Sequence, residues 1–493
     1  MISFEHVSFS YPGQQTGSIS DLNLTIQDGE CVLFCGRSGC GKTTVTRLIN
    51  GLIPCFFTGK LSGKVTVDNL NIAGTPMYRI AEHIGSVFQN PRTQFFNVDT
   101  DSEIAFGIEN ESLPPGELHR RVTKATEDLH IQNLRGRNIF ALSGGEKQKI
   151  AFASVYAMRP GVYLLDEPSS NLDIKSIGEL KEHLRLIKAQ GSIIIVAEHR
   201  IYYLMELVDR IIHLEQGRVT GIYTPAELTA FPEARRSAMG LRAADLYAVR
   251  PRVQINNPDN PPSLELRDVA FRYEKRIILE HITLKAARGE IIGVVGRNGA
   301  GKTTFSRALC GLHKNTEGKF LWEGRQQDRR ARMKRSYLVM QDVNYELFAE
   351  SVEQECILGI DNPDKALAAS ALELLGMVPY KDRHPNTLSG GQKQRVAVAV
   401  SMVCGKDILV FDEPTSGLDY DSMIQVTRLL ENLKRMGKIV FLVSHDYEFI
   451  CHVCSRVLHF AEGEMPDDIM ISSQNLEKLR MLFGLHAITH KET

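Results

Sequence analysis

The sequence predicts an α/β chain in which one module is written twice, and three observations carry that prediction. A glycine-rich segment, Gly36-Arg37-Ser38-Gly39-Cys40-Gly41-Lys42-Thr43, returns as Gly296-Arg297-Asn298-Gly299-Ala300-Gly301-Lys302-Thr303. Leu142-Ser143-Gly144-Gly145-Glu146 returns as Leu388-Ser389-Gly390-Gly391-Gln392, and VYLLDEP at 162–168 returns as ILVFDEP at 408–414. The spacings also repeat: Ser143 stands 23 residues before Asp166 and Ser389 23 before Asp412, while Asp166 to His199 and Asp412 to His445 are each 33. A repeat this long means duplicated domains, not a solenoid. Upstream the halves differ, with 101 residues from Lys42 to Ser143 and 87 from Lys302 to Ser389. The front of each module therefore tolerates length change and the back does not.

Taken in chain order, each module opens on strand-like sequence (2–9, then 264–271) and reaches an apolar strand (31–35, then 291–295). That strand runs into the glycine-rich loop and a helical stretch. The serine-glycine motif begins a later helix. Apolar strands at 162–165 and 408–411 then end in Asp166 and Asp412, and those at 193–197 and 439–443 precede His199 and His445. Between the halves the sequence turns rich in proline, arginine and alanine and ends in Asn256-Asn257-Pro258-Asp259-Asn260-Pro261-Pro262, which reads as a linker. The predicted division is 1–224, a linker 225–262, 263–465, and a tail 466–493 with one helix at 473–482.

The bulk numbers agree. At 493 residues the chain exceeds what one hydrophobic core usually supports. A net charge of −1 gives no electrostatic reason to expect nucleic acid. The N-terminus shows no signal-peptide pattern and no run is long and apolar enough to span a bilayer, so the chain reads as soluble and any membrane role as borrowed from partners. Nine scattered cysteines fit a reducing compartment. Cys451 and Cys454 read as two semi-buried thiols on a helix, because no second ligand pair follows them. The basic run 329–335 (RRARMKR) reads as a solvated helix face or a patch near anionic lipid.

Both glycine-rich segments fit GxxxxGK[ST]. Glycines let the backbone curl until successive N–H groups converge on phosphate oxygens, and the helix N-terminus adds its dipole. Gly36, Arg37, Ser38, Gly39, Cys40, Gly41, Lys42, Thr43 and Thr44 are the expected triphosphate cradle of the first module. Gly296, Arg297, Asn298, Gly299, Ala300, Gly301, Lys302, Thr303 and Thr304 are that of the second. Lys42 and Lys302 would reach the β- and γ-phosphates, and Thr43 and Thr303 would ligate Mg²⁺. Asp166 and Asp412, at the C-terminal edge of a sheet, would hold the same ion. The adjoining Glu167 and Glu413 are the candidate general bases for an attacking water.

With these motifs both halves resemble ATP-binding cassettes over nearly their whole length, LSGG being that family's signature. The resemblance implies two tandem P-loop NTPase domains, each with an antiparallel β-subdomain and a helical signature subdomain, using ATP and Mg²⁺. It implies two composite sites formed by the cassettes pairing within one chain. One joins 36–44 to Ser389, Gly390 and Gly391; the other joins 296–304 to Ser143, Gly144 and Gly145. Tyr11 and Tyr273 match the aromatic that stacks on adenine. Gln89 and Gln341 match a glutamine that senses Mg²⁺ and water where a membrane partner docks. Asp173 and Asp419 match the aspartate that speaks across the dimer, and His199 and His445 the histidine contacting the γ-phosphate. Glu146 departs from the family glutamine that Gln392 keeps. It begins the helix and need not touch phosphate, so that site is expected to stay active.

The stretch around Gln89, FQNPRTQFF at 88–96 followed by SEIAFGIEN at 102–110, resembles the ATPases of energy-coupling-factor importers, as does Ala197-Glu198-His199-Arg200. Those importers move vitamins, their precursors or transition-metal ions. The resemblance implies a transmembrane coupling component and a small membrane-embedded substrate-binding component as partners, and a peripheral place on the cytoplasmic face of the membrane. The rival is a soluble tandem-cassette translation factor acting on the ribosome, against which the short, proline-broken linker argues. Chromosome-maintenance and repair ATPases insert coiled coils or zinc modules between loop and signature, where 101 and 87 residues leave no room.

Overall fold

Two strand patterns organise each half. In Ile2–Ser10, Ile2, Phe4, Val7 and Phe9 are buried and their neighbours are open, the period of two that places one face on a core. The alternation skips once, at a bulge where His6 takes a φ of 49°. Cys31–Cys35, by contrast, is buried at all five positions, as a strand covered on both faces must be. The computed structural model describes residues 1–13, 17–170, 172–252, 261–273, 276–341, 343, 346–415 and 417–485. The turn-rich 256–260 and the last eight residues of the tail lie outside the described residues.

Contacts divide the chain into Met1–Asp245 and Leu246–Thr493. In the first unit an antiparallel sheet runs in the order Ile19–Ile26, Ile2–Ser10, Lys60–Val67, Leu70–Asn71. A six-stranded sheet runs Arg218–Tyr223, Arg210–Glu215, Cys31–Cys35, Ile193–Ala197, Val162–Asp166, Ile84–Val87, parallel except at its first strand. Helix Lys42–Ile49 shares one core with both sheets through Val45, Leu48 and Ile49. Helices Thr100–Glu109, Pro115–Asp128 and Gly144–Met158 pack on one another through Ile104, Ile108, Val122 and Ile150. The second unit repeats both sheets in the same order, its six strands running Glu464–Met470, Arg456–Ala461, Ile291–Gly296, Ile439–Val443, Ile408–Asp412, Ser336–Val339.

The length difference between the halves has a structural address. Eight of its fourteen residues fall before the glutamines Gln89 and Gln341, where only the first unit inserts the turn of helix Leu52–Cys55. The other six fall in the helical part, where Thr100–Glu109 and Pro115–Asp128 shorten to Val352–Ile357 and Lys365–Leu374.

Three expectations change. Residues 225–245, read as linker, belong to the first unit: helix Pro225–Thr229 sinks Leu228 into the core, and Leu241 and Ala244 join it. Poor periodicity hid this: Leu228 is the one buried residue of its short helix, and the buried run 241–244 lies outside any helix or strand. Nor is the tail separate at its start: Glu464–Met470 is the antiparallel edge strand of the second sheet. Helix Leu476–Leu482 buries Arg480, whose guanidinium lies over Tyr247 at 3.8 Å. In Arg329–Arg335, Arg332 is buried, donates to the Ala308 carbonyl at 2.8 Å and covers Phe320, so that helix face is partly structural. Cys451 and Cys454 are fully buried, and burial pushes the Cys451 thiol up to about 12.

Candidate active site

The phosphate loop of the first unit follows from where side chains cannot fit. Gly36 has a φ of 138°, and a Cβ there would lie 2.2 Å from the Leu214 carbonyl oxygen. Gly41 has a φ of 111°, with Ile19 2.6 Å from its missing Cβ. Only glycine takes both the conformation and the close approach. Helix Lys42–Ile49 then starts with no side chain capping it, which leaves its first N–H groups for an anion. The buried Lys42 ammonium donates to the carbonyls of Gly36 and Arg37, at 3.0 and 3.1 Å, bent back over the loop it follows.

Beside it, the Thr43 hydroxyl donates to Asp166 at 3.3 Å. Burial first, and then the charge of Glu167, push the Asp166 carboxyl up to about 6. A hydroxyl and a carboxylate converging in a buried place make the hard oxygen donor set that Mg²⁺ takes, so the residues fit the ion the motifs imply. Glu167 is held from three sides. Its N–H donates to the Ala197 carbonyl at 2.8 Å, its Oε2 accepts from the Gln89 amide at 2.5 Å, and its Oε1 lies 3.4 Å from His199 Nε2. Its φ of 47° is left-handed, a conformation that costs a non-glycine residue about 1–2 kcal/mol.

The second unit repeats these relations. Lys302 donates to the carbonyls of Gly296 and Arg297 at 2.7 and 2.9 Å, and Thr303 to Asp412 at 3.2 Å. Burial again raises the Asp412 carboxyl. Glu413 has a φ of 53°, and its Oε1 lies 3.6 Å from His445 Nε2. Gln341 stands exposed near the start of its loop.

Ser143 and Ser389 each cap a helix, Gly144–Met158 and Gly390–Val403, through a reciprocal bond with the residue three positions on. Glu146, the departure from glutamine, makes the same bond: its Oε2 accepts the Ser143 N–H at 2.8 Å and its Oε1 accepts from Arg137 at 2.8 Å. Burial acts against its ionisation, but these two partners win and hold its carboxyl below the usual range. Ser143, Gly144, Ser389 and Gly390 are exposed. Asp173 and Asp419 are buried caps of the helices Ile174–Ala189 and Tyr420–Arg435. Tyr11 packs edge-on against Phe9 and Phe57 and receives a bond from Arg47 at 3.0 Å, whereas Tyr273 is exposed.

Sequence reasoning missed the residues that brace these groups. Glu198, 2% exposed, accepts the N–H groups of His199, Arg200 and Ser169 at 2.7, 3.1 and 3.2 Å. It thereby ties the histidine's turn to the segment after Glu167. In the second unit the buried carboxylate lies on the other side of the histidine: Asp446 accepts from Thr415 at 3.4 Å. The exchange of EHR at 198–200 for SHD at 444–446 was its only sequence signal.

Behind Gln89 the first unit opens a groove of about 1050 Å³, lined by Tyr78, Ile84, Phe88, Phe96, Phe106 and Met158 among others. Phe96 and Phe106 stack at 4.9 Å and are both exposed.

The profile of the ABC transporter family matches residues 19–170 and 279–416, one match in each unit. A protein of Treponema denticola bearing the name ABC transporter ATP-binding protein is 49% identical over 481 residues, covering 96% of this chain and 98% of that one. Among solved structures, cbiO1 from Clostridium perfringens, part of the ABC transporter complex cbiONQ, is 30% identical, covering 48% of this chain and 93% of its own, with a TM-score of 0.43. A chain of the ribosome-bound archaeal Pelota and ABCE1 assembly is 21% identical, covering 97% of this chain and 80% of its own, with a TM-score of 0.71; that likeness is one of fold.

Proposed function

The chain belongs to the ABC transporter family, as an ATP-binding protein of two fused cassettes that hydrolyses ATP with Mg²⁺, and from that premise we propose that it powers an importer of the energy-coupling-factor kind. Its cargo class would be a vitamin, a vitamin precursor or a metal ion. The observation that carries this reading is the groove behind Gln89. It is more apolar than polar, with the exposed Phe96–Phe106 pair in its wall and Glu82, Glu111, Arg121 and Arg159 among its charged lining, and is built in part by the QNPxxQ and FGxEN segments. A helix of a transmembrane coupling component would enter it beside the glutamine that touches Glu167, so that docking and hydrolysis share one loop. The small substrate-binding component would join through that partner, with the chain peripheral on the cytoplasmic face.

Each ATP is proposed to lie between one phosphate loop and the other cassette's Ser-Gly-Gly turn, with Thr43 and Asp166, or Thr303 and Asp412, holding Mg²⁺. Bound there, the ion would neutralise phosphate charge in the reaction. Glu167 and Glu413 orient the attacking water and take its proton. His199 and His445 hold those carboxylates from one side, and Gln89 holds Glu167 from the other.

The second reading, action on the ribosome, draws on the whole-chain likeness to the ABCE1 assembly. Phe106→Asp separates the two. The importer reading expects the variant to keep its basal hydrolysis and to lose co-purification with a polytopic membrane protein from detergent-solubilised membranes. Undiminished membrane association, or co-sedimentation with ribosomes, would overturn it.

A further inference from the structure

The two cassettes brace their glutamine loops with matching residues, save one. In the first, Gln94 closes the loop that carries Gln89: its Oε1 accepts the Phe88 N–H at 3.3 Å, and its amide donates to the Ser86 carbonyl at 3.2 Å. Glu103 closes the far side, accepting the N–H groups of Phe96 and Asn97 at 3.0 and 2.8 Å. In the second, Glu355 stands where Glu103 does, fourteen residues past the glutamine, and accepts from Phe348 and Ala349, both at 2.7 Å. Five residues past the glutamine, however, Gln94 is replaced by Glu346. Its Oε1 accepts the Met340 N–H at 2.6 Å, as Gln94 accepts Phe88. Its Oε2 is buried with no hydrogen-bond partner among the described residues, where Gln94 carries a donor.

We infer that Glu346 is a positioning residue of the second cassette that works as a neutral acid, its undissociated carboxyl standing in for the amide of Gln94. A protonated Oε2 supplies the missing donor, and the carbonyl in the register of Ser86 is that of Leu338. Ionised, the same group is acceptor-only and leaves a buried charge opposite a carbonyl. Among the described residues, the ionisable groups facing it are Glu355 from helix Val352–Ile357 and Tyr337 from strand Ser336–Val339, with the thiols of Cys356 and Cys404 beside Tyr337. None of these is a cation that would favour the carboxylate. Burial first, and the charge of Glu355 as well, push the Glu346 carboxyl up to about 7, against the pull of the Met340 N–H. The folded state thus holds this proton across the window from the ordinary glutamate range up to about 7. The brace is intact below that window's top and is lost as pH rises through it.

The role of the brace in turnover rests on the reading of Gln341 as the glutamine that serves the second site, so the test separates the two. Hydrogen exchange of the peptide 336–350 in the full chain, corrected for intrinsic rate, should lose about tenfold in protection between about pH 6 and about pH 8. Glu346→Gln should hold protection nearly constant over that range, and Gln94→Glu should introduce the same loss into the peptide spanning 84–98. A flat profile in the parent, or a fall that survives Glu346→Gln, overturns the inference. ATP turnover of Gln341→Ala reports on the other reading alone: unchanged turnover removes the role of the loop in catalysis and leaves the exchange result standing.

Discussion

Glu167 and Glu413 share a left-handed backbone, a histidine 3.4 or 3.6 Å away and a backbone bond to the neighbouring strand. A conformation with a standing cost, kept at the same place in both units, is how a fold aims a group. Replacing both with glutamine keeps shape and one accepting oxygen but removes the base. Steady-state hydrolysis of that double variant should fall by about 10²–10⁴-fold while ATP binding persists; near-normal turnover would reject the base assignment. Gly36 answers to geometry alone. Gly36→Ala forces a methyl to within 2.2 Å of the Leu214 carbonyl, and thermal melting should register a loss above about 1 kcal/mol in the first unit.

The two signature helices begin where a side chain satisfies their first N–H groups, and they carry that chemistry in the candidate motif itself. Ser143→Ala removes the cap and should cost about 0.5–2 kcal/mol in chemical denaturation. Glu146 should be replaceable by glutamine at little cost in hydrolysis, since Arg137 already balances its charge. The stretch 225–245 makes a stricter demand. Leu228 is fully buried in the first unit's core, so Leu228→Ala should destabilise that unit by about 2–5 kcal/mol. A chain ended at residue 224 should melt well below one ended at 245. Equal melting would return that stretch to the role of a linker.

At the scale of the molecule, two cassettes in one chain allow a test of pairing by nucleotide count. In the Glu167→Gln, Glu413→Gln background, Ser389→Arg with Lys42→Ala should disable one composite site twice and leave one ATP per chain. Ser389→Arg with Lys302→Ala should disable both sites and leave none. Equal occupancy in the two combinations would show that each cassette binds ATP by itself. The duplication, the loops and the carboxylates that end strands were legible in the sequence because chemistry ties each to residues at fixed local spacing: glycine where no Cβ fits, lysine at a helix start, aspartate at a strand's edge. Residues 225–245, Glu198, Asp446 and the exchange of Gln94 for Glu346 were not legible. Their partners come from distant segments or lie on backbone atoms, which carry no letter in the sequence. What this chain's sequence determined by itself was thus the identity and order of the candidate reacting groups. Which polar atoms are buried, and what holds them, was decided only when the tertiary fold took water away from those groups and made every unpaired donor or acceptor costly.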